Sequence, residues 1–280
     1  MIALAAVGLG LLIGLTLGTL GGGGSILTVP ALVYVLGQDA RSATTSSLFI
    51  VGIASLIAAF GHARAGRVRW GIGLVFGVTG IAAGFAGTAL NRLVDPDVLL
   101  LGFAGVILVA AAGMLYSTRS PSRRTERERR LVSPGGGLPD INTAPAEPPA
   151  PRRWDRRRVV QIIAAGLLVG LMTGFFGVGG GFVIVPALTL ALGLPMPQAI
   201  ATSLVVISIN SGGALLARAG TAHFDWAIIV PFTLAAIAAS LAGKMLADRL
   251  SGRSLTRAFA VLLIAVALYT ATSSLISLLG

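Results

Sequence analysis

Residues 1–38 and 159–217 contain no Asp, Glu, Lys or Arg. A bilayer core about 30 Å thick asks for about 20 apolar residues per helix. Uncharged runs of this size lack the polar face that an outer helix of a soluble domain shows to water. Composition agrees, with 55% hydrophobic and 11% charged residues in a chain of 280, against about 25% charged in ordinary soluble domains. The chain reads as an all-α, polytopic integral membrane protein, and a soluble globule is excluded. Its net charge of +11 is no nucleic-acid signal, because eleven of the 21 basic residues lie between Arg119 and Arg158, and membrane proteins gather Lys and Arg in cytoplasmic loops. Without cysteine there is no disulfide, thiolate chemistry or Cys-ligated metal. The opening MIALAAVGLG lacks the positive n-region of a signal peptide and reads as a retained first helix.

The segment GTLGGGGSILTVPAL from Gly18 recurs as GFFGVGGGFVIVPAL from Gly174, an offset of 156 residues. Without a gap, this offset also pairs Gly10 and Gly14 with Gly166 and Gly170, Pro30 with Pro186, Ser47 with Ser203, Trp70 with Trp226, and Phe103 with Phe259. Register held over so long a stretch marks two homologous halves, 1–117 and 158–280. Residues 118–157 between them hold seven of the 13 prolines and the run PSRRTERERR. Such composition does not bury enough apolar surface to offset ordering entropy. It reads as a solvated cytoplasmic linker that fixes topology, with contact to anionic lipid headgroups as the functional alternative.

Each half divides into five apolar segments: 2–20, 25–37, 42–61, 70–91 and 98–117, then 159–176, 181–193, 198–217, 226–248 and 254–279. The second of each set, about 18 Å long as a helix, is too short to span unaided. Segments one and two are therefore either a pair of crossings or a re-entrant hairpin. Charge orients the halves. Arg64, Arg67 and Arg69 follow the third segment, whereas in the second half Lys244, Arg249, Arg253 and Arg257 follow the fourth. The positive-inside rule then puts the 61–70 loop, the linker and the 244–257 loop in the cytoplasm and both termini outside. The halves insert upside down relative to each other, with an odd number of crossings each. Inverted repeats of this kind build secondary transporters, which bind substrate at the repeat interface near the midplane.

Gly21, Gly22, Gly23 and Gly24, and Gly177, Gly179, Gly180 and Gly181, interrupt apolar segments where each glycine costs about 1 kcal/mol relative to Ala in a helix. Such runs predict unwound backbone, which in a membrane must be buried or line a cavity. Pro30 and Pro186 are expected in the first turn of the following helix. Free N–H groups and a helix dipole would then make an anion site without a charged side chain. Ser25, Thr45, Ser46 and Ser47 in the first half, and Thr202, Ser203 and Asn210 in the second, supply hydroxyl and amide groups beside these breaks. Gly10, Gly14 and Gly18 and their partners, spaced by four on one helix face, read instead as packing positions. His62 and His223 are expected at the membrane interface, and Lys244 and Asp248 near the cytoplasmic end of segment nine. Around Gly177 the third glycine of a dinucleotide fingerprint is replaced by Phe182. Neither G-x-S-x-G nor HExxH occurs. No enzyme, cofactor or metal is therefore expected.

In GGGGSILTVPAL with TSSL, and GVGGGFVIVPAL with ATSL, the chain resembles the TauE/SafE family of sulfite-exporter-like permeases across both halves. The resemblance implies a multi-pass plasma-membrane transporter of sulfite, thiosulfate, sulfoacetate or related organosulfur anions, directed outward. Two departures stand out: Ser25 where the second half has Gly181, and a linker longer than the usual central loop. A passive anion channel and a cation-coupled carrier of another small solute are the competing functions.

Overall fold

In a computed structural model, the structure describes residues 2–91, 93–94, 96–119, 156–176, 181–218 and 224–279. These form helices α1 (Ile2–Leu20), α2 (Gly23–Pro30), α3 (Ala40–Arg64), α4 (Trp70–Asn91), α5 (Pro96–Arg119), α6 (Arg156–Phe176), α7 (Gly181–Pro186), α8 (Met196–Ala217), α9 (Trp226–Arg249) and α10 (Gly252–Leu279). Short π-helical turns, Ala31–Val35 and Ala187–Ala191, extend α2 and α7. Six helices are long and apolar enough to cross a membrane, and no strand occurs among the described residues. The protein is thus an all-α polytopic membrane protein, as its sequence predicts.

The packing is crosswise between the halves. α1 lies along α9, α4 along α6, α3 against α8, and α5 against α10. Glycine makes the closest of these approaches possible. A Cβ placed on Gly10, Gly14 or Gly18 would lie 2.6, 2.2 or 2.0 Å from the carbonyl oxygens of Phe232, Ala236 and Ser240. In the other pair, a Cβ on Gly170 or Gly174 would lie 2.2 or 2.0 Å from the carbonyl oxygens of Gly80 and Gly84. The offset of 156, forward for one partner and back for the other, turns each contact of the first pair into its match in the second. Backbones this close leave no room for a methyl group, which fits the reading of these glycines as packing positions. Without a hydrophobic drive between helices in lipid, such contact is what holds them together.

The same contacts set helix directions. Rising residue numbers meet rising numbers along α1–α9 and along α4–α6, so each pair is parallel. Phe49 meets Trp226 and Gly61 meets Lys244, so α3 runs with α9. Gly73 meets Val205 and Gly77 meets Ile209, so α4 runs with α8. A short turn at residues 65–69 reverses the chain between α3 and α4. Hence α1, α3 and α9 point one way and α4, α6 and α8 the other. Because α1 and α3 are parallel, the chain between them must run back in the opposite direction. α2 with its π turn supplies 13 residues of helix, about 20 Å, and residues 36–39 complete the way back. Large side chains fill the interior in matched places, Phe76 and Phe232 being fully buried at positions 156 apart.

Alanine at Gly14 or Gly170 should lower the melting temperature in detergent, since overpacking costs about 1–3 kcal/mol. Gly8, where an added Cβ would meet nothing within 4 Å, should tolerate alanine or gain from its higher helix propensity, by about 1 kcal/mol. Equal melting of the Gly8→Ala and Gly14→Ala proteins would contradict the packing described.

Candidate functional site

α1 ends where Gly21 turns left-handed, with φ +72°, and its N–H still donates to the Leu17 carbonyl at 2.8 Å. Gly22 follows in helical geometry at φ −61°, ψ −15°, and no side chain caps the start of α2. Unwinding is therefore confined to Gly21 and Gly22, narrower than the four residues expected. Gly23 and Gly24 are already wound into α2, and Gly24 packs on α1, where a Cβ would lie 2.7 Å from the Ile13 carbonyl oxygen. An open first turn still leaves N–H groups without helix partners. Gly177, Gly179 and Gly180 lie outside the described residues, and α7 opens at Gly181.

The prolines are placed differently from expectation. Pro30 and Pro186 end α2 and α7 instead of starting them. Each lacks the N–H for an i→i−4 bond, and the helix beyond it widens to i→i−5 bonding. Leu36 N–H donates to the Ala31 carbonyl and Leu192 N–H to the Ala187 carbonyl, each at 3.3 Å. Gly37 and Gly193 then close both turns with φ +68° and +64°.

The starts of α2 and α7 touch. A Cβ on Gly22 would fall 1.6 Å from the Gly181 carbonyl oxygen, and one on Gly181 would fall 2.3 Å from Ser25 Oγ. Ser25 Oγ donates to the Gly22 carbonyl at 2.7 Å. From α8, Ser203 brings its Oγ to 2.6 Å from a Cβ position on Gly21, and Ile207 reaches Gly181. Ser203, fully buried, donates to the Ile200 carbonyl at 2.8 Å. Gly21, Gly22, Ser25, Gly181 and Ser203 are thus brought together where the halves meet.

The remaining candidates stand on α3 and α8. Thr45, Ser46 and Ser47 are buried. Ser47 Oγ donates to the Thr44 carbonyl at 2.8 Å, and Ser46 Oγ has no hydrogen-bond partner among the described residues. Buried Thr202 accepts a hydrogen bond from the Arg69 backbone N–H at 3.2 Å, tying α8 to the start of α4. Asn210 sits against Gly80 of α4, its Oδ1 buried and without a partner among the described residues.

Three features escaped the sequence reading. Arg67 pairs with Asp248, which also holds Lys244 at 2.8 Å; only the four-residue spacing of Lys244 and Asp248 hinted at this group. It joins the α3–α4 turn of one half to α9 of the other. His62, expected at the interface, is buried at 1% exposure, because it lies on the face of α3 that packs inward. His223 lies outside the described residues. Asn91 Nδ2 donates to the Phe175 carbonyl at 2.6 Å, covering the end of α6 just before the second glycine run.

The chain matches the family described as sulfite exporter TauE/SafE over residues 6–270. A probable membrane transporter protein of Xylella fastidiosa strain Temecula1 is 31% identical over 282 residues, covering 99% of this chain and 98% of the relative. Probable membrane transporter proteins of Methanocaldococcus jannaschii and of Bacillus subtilis (YunE) are 27% and 26% identical, covering 74% and 78% of this chain, and 68% and 78% of their own lengths. No solved structure matches. Six helices among the described residues long and apolar enough to cross a bilayer, a match along nearly the whole chain and relatives named as transporters lead to one conclusion: this protein is a multi-pass membrane transporter of the sulfite exporter TauE/SafE family.

Proposed function

We propose that the protein moves a small sulfur oxyanion or organosulfur anion, such as sulfite, outward by alternating access between two inverted repeats. The observation that carries this reading is the meeting of the α2 and α7 starts at Gly22 and Gly181. Two half-helices beginning at one point aim amide N–H groups and positive dipole ends into it, without a charged side chain. Opposite directions of helices 156 residues apart favour inverted repeats, and the cluster Arg64, Arg67, Arg69, Lys244, Arg249 assigns one end to the cytoplasm by its charge. The linker 118–157 then lies on that side and both termini on the other.

Substrate must part the two half-helices. Backbone that would not admit a methyl group between Gly22 and Gly181 does not admit an oxyanion either. Entry therefore couples to separation of α2 from α7, and so to relative motion of the halves. Once inside, the anion exchanges its hydration for the amides of Gly21–Gly24 and Gly177–Gly181 and for the hydroxyls of Ser25, Thr45, Ser46, Ser47, Thr202 and Ser203; burial without such replacement costs several kcal/mol or more. Asn210 would line the path further along α8. The Arg67–Asp248–Lys244 group would tie the halves at the cytoplasmic end when that side is shut.

Flux of labelled sulfite and thiosulfate into proteoliposomes tests this. Saturable, concentrative uptake under an imposed pH or Na⁺ gradient is expected; single-channel currents would instead identify a passive pore. Gly22→Ala should abolish flux, whereas Gly23→Ala, whose Cβ would crowd only the flexible end of Leu262 and touch Leu20 at ordinary contact distance, should keep it. Equal flux through both variants would remove the α2–α7 contact from the mechanism.

Ser46→Ala separates binding from folding. Its hydroxyl is buried and has no partner among the described residues, so removing it should leave melting unchanged or slightly raised. A lost hydrogen bond to a charged group, about 1.5–3 kcal/mol, should raise the half-saturating anion concentration roughly tenfold or more. Unchanged saturation would place Ser46 outside the binding site.

A further inference from the structure

The two halves differ at a lipid-facing groove that is open near the arginine-rich turn and filled at its counterpart. Its floor is α8, with Val205 and with Ser208, whose hydroxyl is taken by the Leu204 and Gly52 carbonyls at 2.9 and 3.3 Å. One wall is α3, with Leu56 and Phe60; the other is α4, with Trp70 and Leu74. These four wall residues are about half exposed, so the cleft offers hydrocarbon to the membrane and no free polar group.

Charge sits at one end of that groove only. Leu56, Phe60 and Arg64 are four residues apart on α3, so the apolar stripe runs directly into an exposed guanidinium. Arg69 precedes Trp70 and is also exposed; its Nε donates to Gln198 Oε1 at 3.1 Å. Arg67, the third cation, is engaged by Asp248, which Lys244 shares. Neither Arg64 nor Arg69 has an ion-pair partner among the described residues. A tryptophan under arginines at a groove mouth is the arrangement of a membrane–water boundary, with an aromatic ring at headgroup depth and cations just above it.

The position 156 residues on serves as an internal control. Trp226 replaces Trp70, Phe49 replaces Val205, and Phe224 replaces Val68. The three rings pack at centroid distances of 5.3, 5.5 and 5.8 Å. They occupy the space that Val205 leaves open in the first case. Arg69 is matched there by Asp225, whose carboxylate accepts from Ala227 N–H at 3.1 Å. One groove is thus open with Arg69 at its mouth, and its counterpart is filled by rings with Asp225 in that place.

We infer that the Leu56–Phe60–Trp70–Val205 groove binds one anionic phospholipid, its acyl chain along α8 and its phosphate on Arg64 and Arg69. The site is distinct from the linker, whose residues 120–155 lie outside the described residues, and does not depend on which anion the protein transports. Arginines near the surface attract acidic headgroups, and a chain lying in an apolar cleft removes hydrocarbon from contact with a rough protein surface, improving packing on both sides.

The test uses the full-length protein with Trp154→Phe and Trp226→Phe, so that Trp70 is the only tryptophan, reconstituted in vesicles of brominated phosphatidylglycerol or brominated phosphatidylcholine diluted into unbrominated lipid. Trp70 fluorescence should be quenched at a lower fraction of phosphatidylglycerol than of phosphatidylcholine. Arg64→Gln and Arg69→Gln should each reduce that preference about fivefold, the effect of one surface cation. Val205→Phe, which copies the filled counterpart, should abolish it with the arginines intact. Glycerol phosphate in the buffer should not compete, because the acyl chain contributes to binding. Equal quenching by both lipids, a preference that survives Val205→Phe, or full competition by glycerol phosphate would overturn the inference. If Val205→Phe fails to insert, the two arginine variants decide the question by themselves.

Discussion

Helix backbones touching at glycine are the contact from which the rest of this structure follows. Lipid tails compete equally well for apolar side chains, so membrane helices are held by close van der Waals contact and not by exclusion of water. Along α1–α9 and α4–α6 that contact is backbone against backbone, with carbonyl oxygens where side chains would otherwise stand. Both seams join one half of the chain to the other. Neither half can therefore bury its glycine face alone, and the two fold as a single body. The seams also align helix directions, which determines where α2 and α7 are delivered.

What they deliver is a pair of half-helices whose starts meet. Broken helices in a bilayer need every freed backbone group answered by protein, and this chain answers them locally. Beyond Pro30 and Pro186 the wide turns bond the Ala31 and Ala187 carbonyls to Leu36 and Leu192 N–H, Ser25 bonds the Gly22 carbonyl, and Asn91 covers the end of α6. The amides at the start of α2 lack a side-chain cap. Under the proposed function these buried donors would exchange between protein contacts and substrate.

Near symmetry makes the departures from it informative. The ion group of Arg67, Lys244 and Asp248 has no copy among the described residues at the opposite end. Phe49 and Val205 stand at matched positions, one packed among rings and the other beside an open groove. Positions 156 residues apart share a backbone environment, and a few side-chain differences between them give the two places different packing.

Much of this was legible in the chain. Absence of charge over residues 1–38 and 159–217 forces helices into lipid, since no other unpaired backbone survives there. The register of 156 residues and the four-residue spacing of Gly10, Gly14 and Gly18 mark equivalent faces, and α1 and α4 begin and end where the apolar pattern does. Hydropathy, spacing and repeat all report on one helix at a time. Which helix lies against which is a joint property of all the surfaces, and no local period records it. Tertiary structure alone decided that Gly14 meets Ala236, that Gly22 and not Gly23 stands at the α2–α7 contact, that Pro30 ends a helix, and that His62 faces inward. Partners 181 residues apart, such as Arg67 and Asp248, become neighbours only when two halves pack crosswise, and that choice is made by steric fit across space.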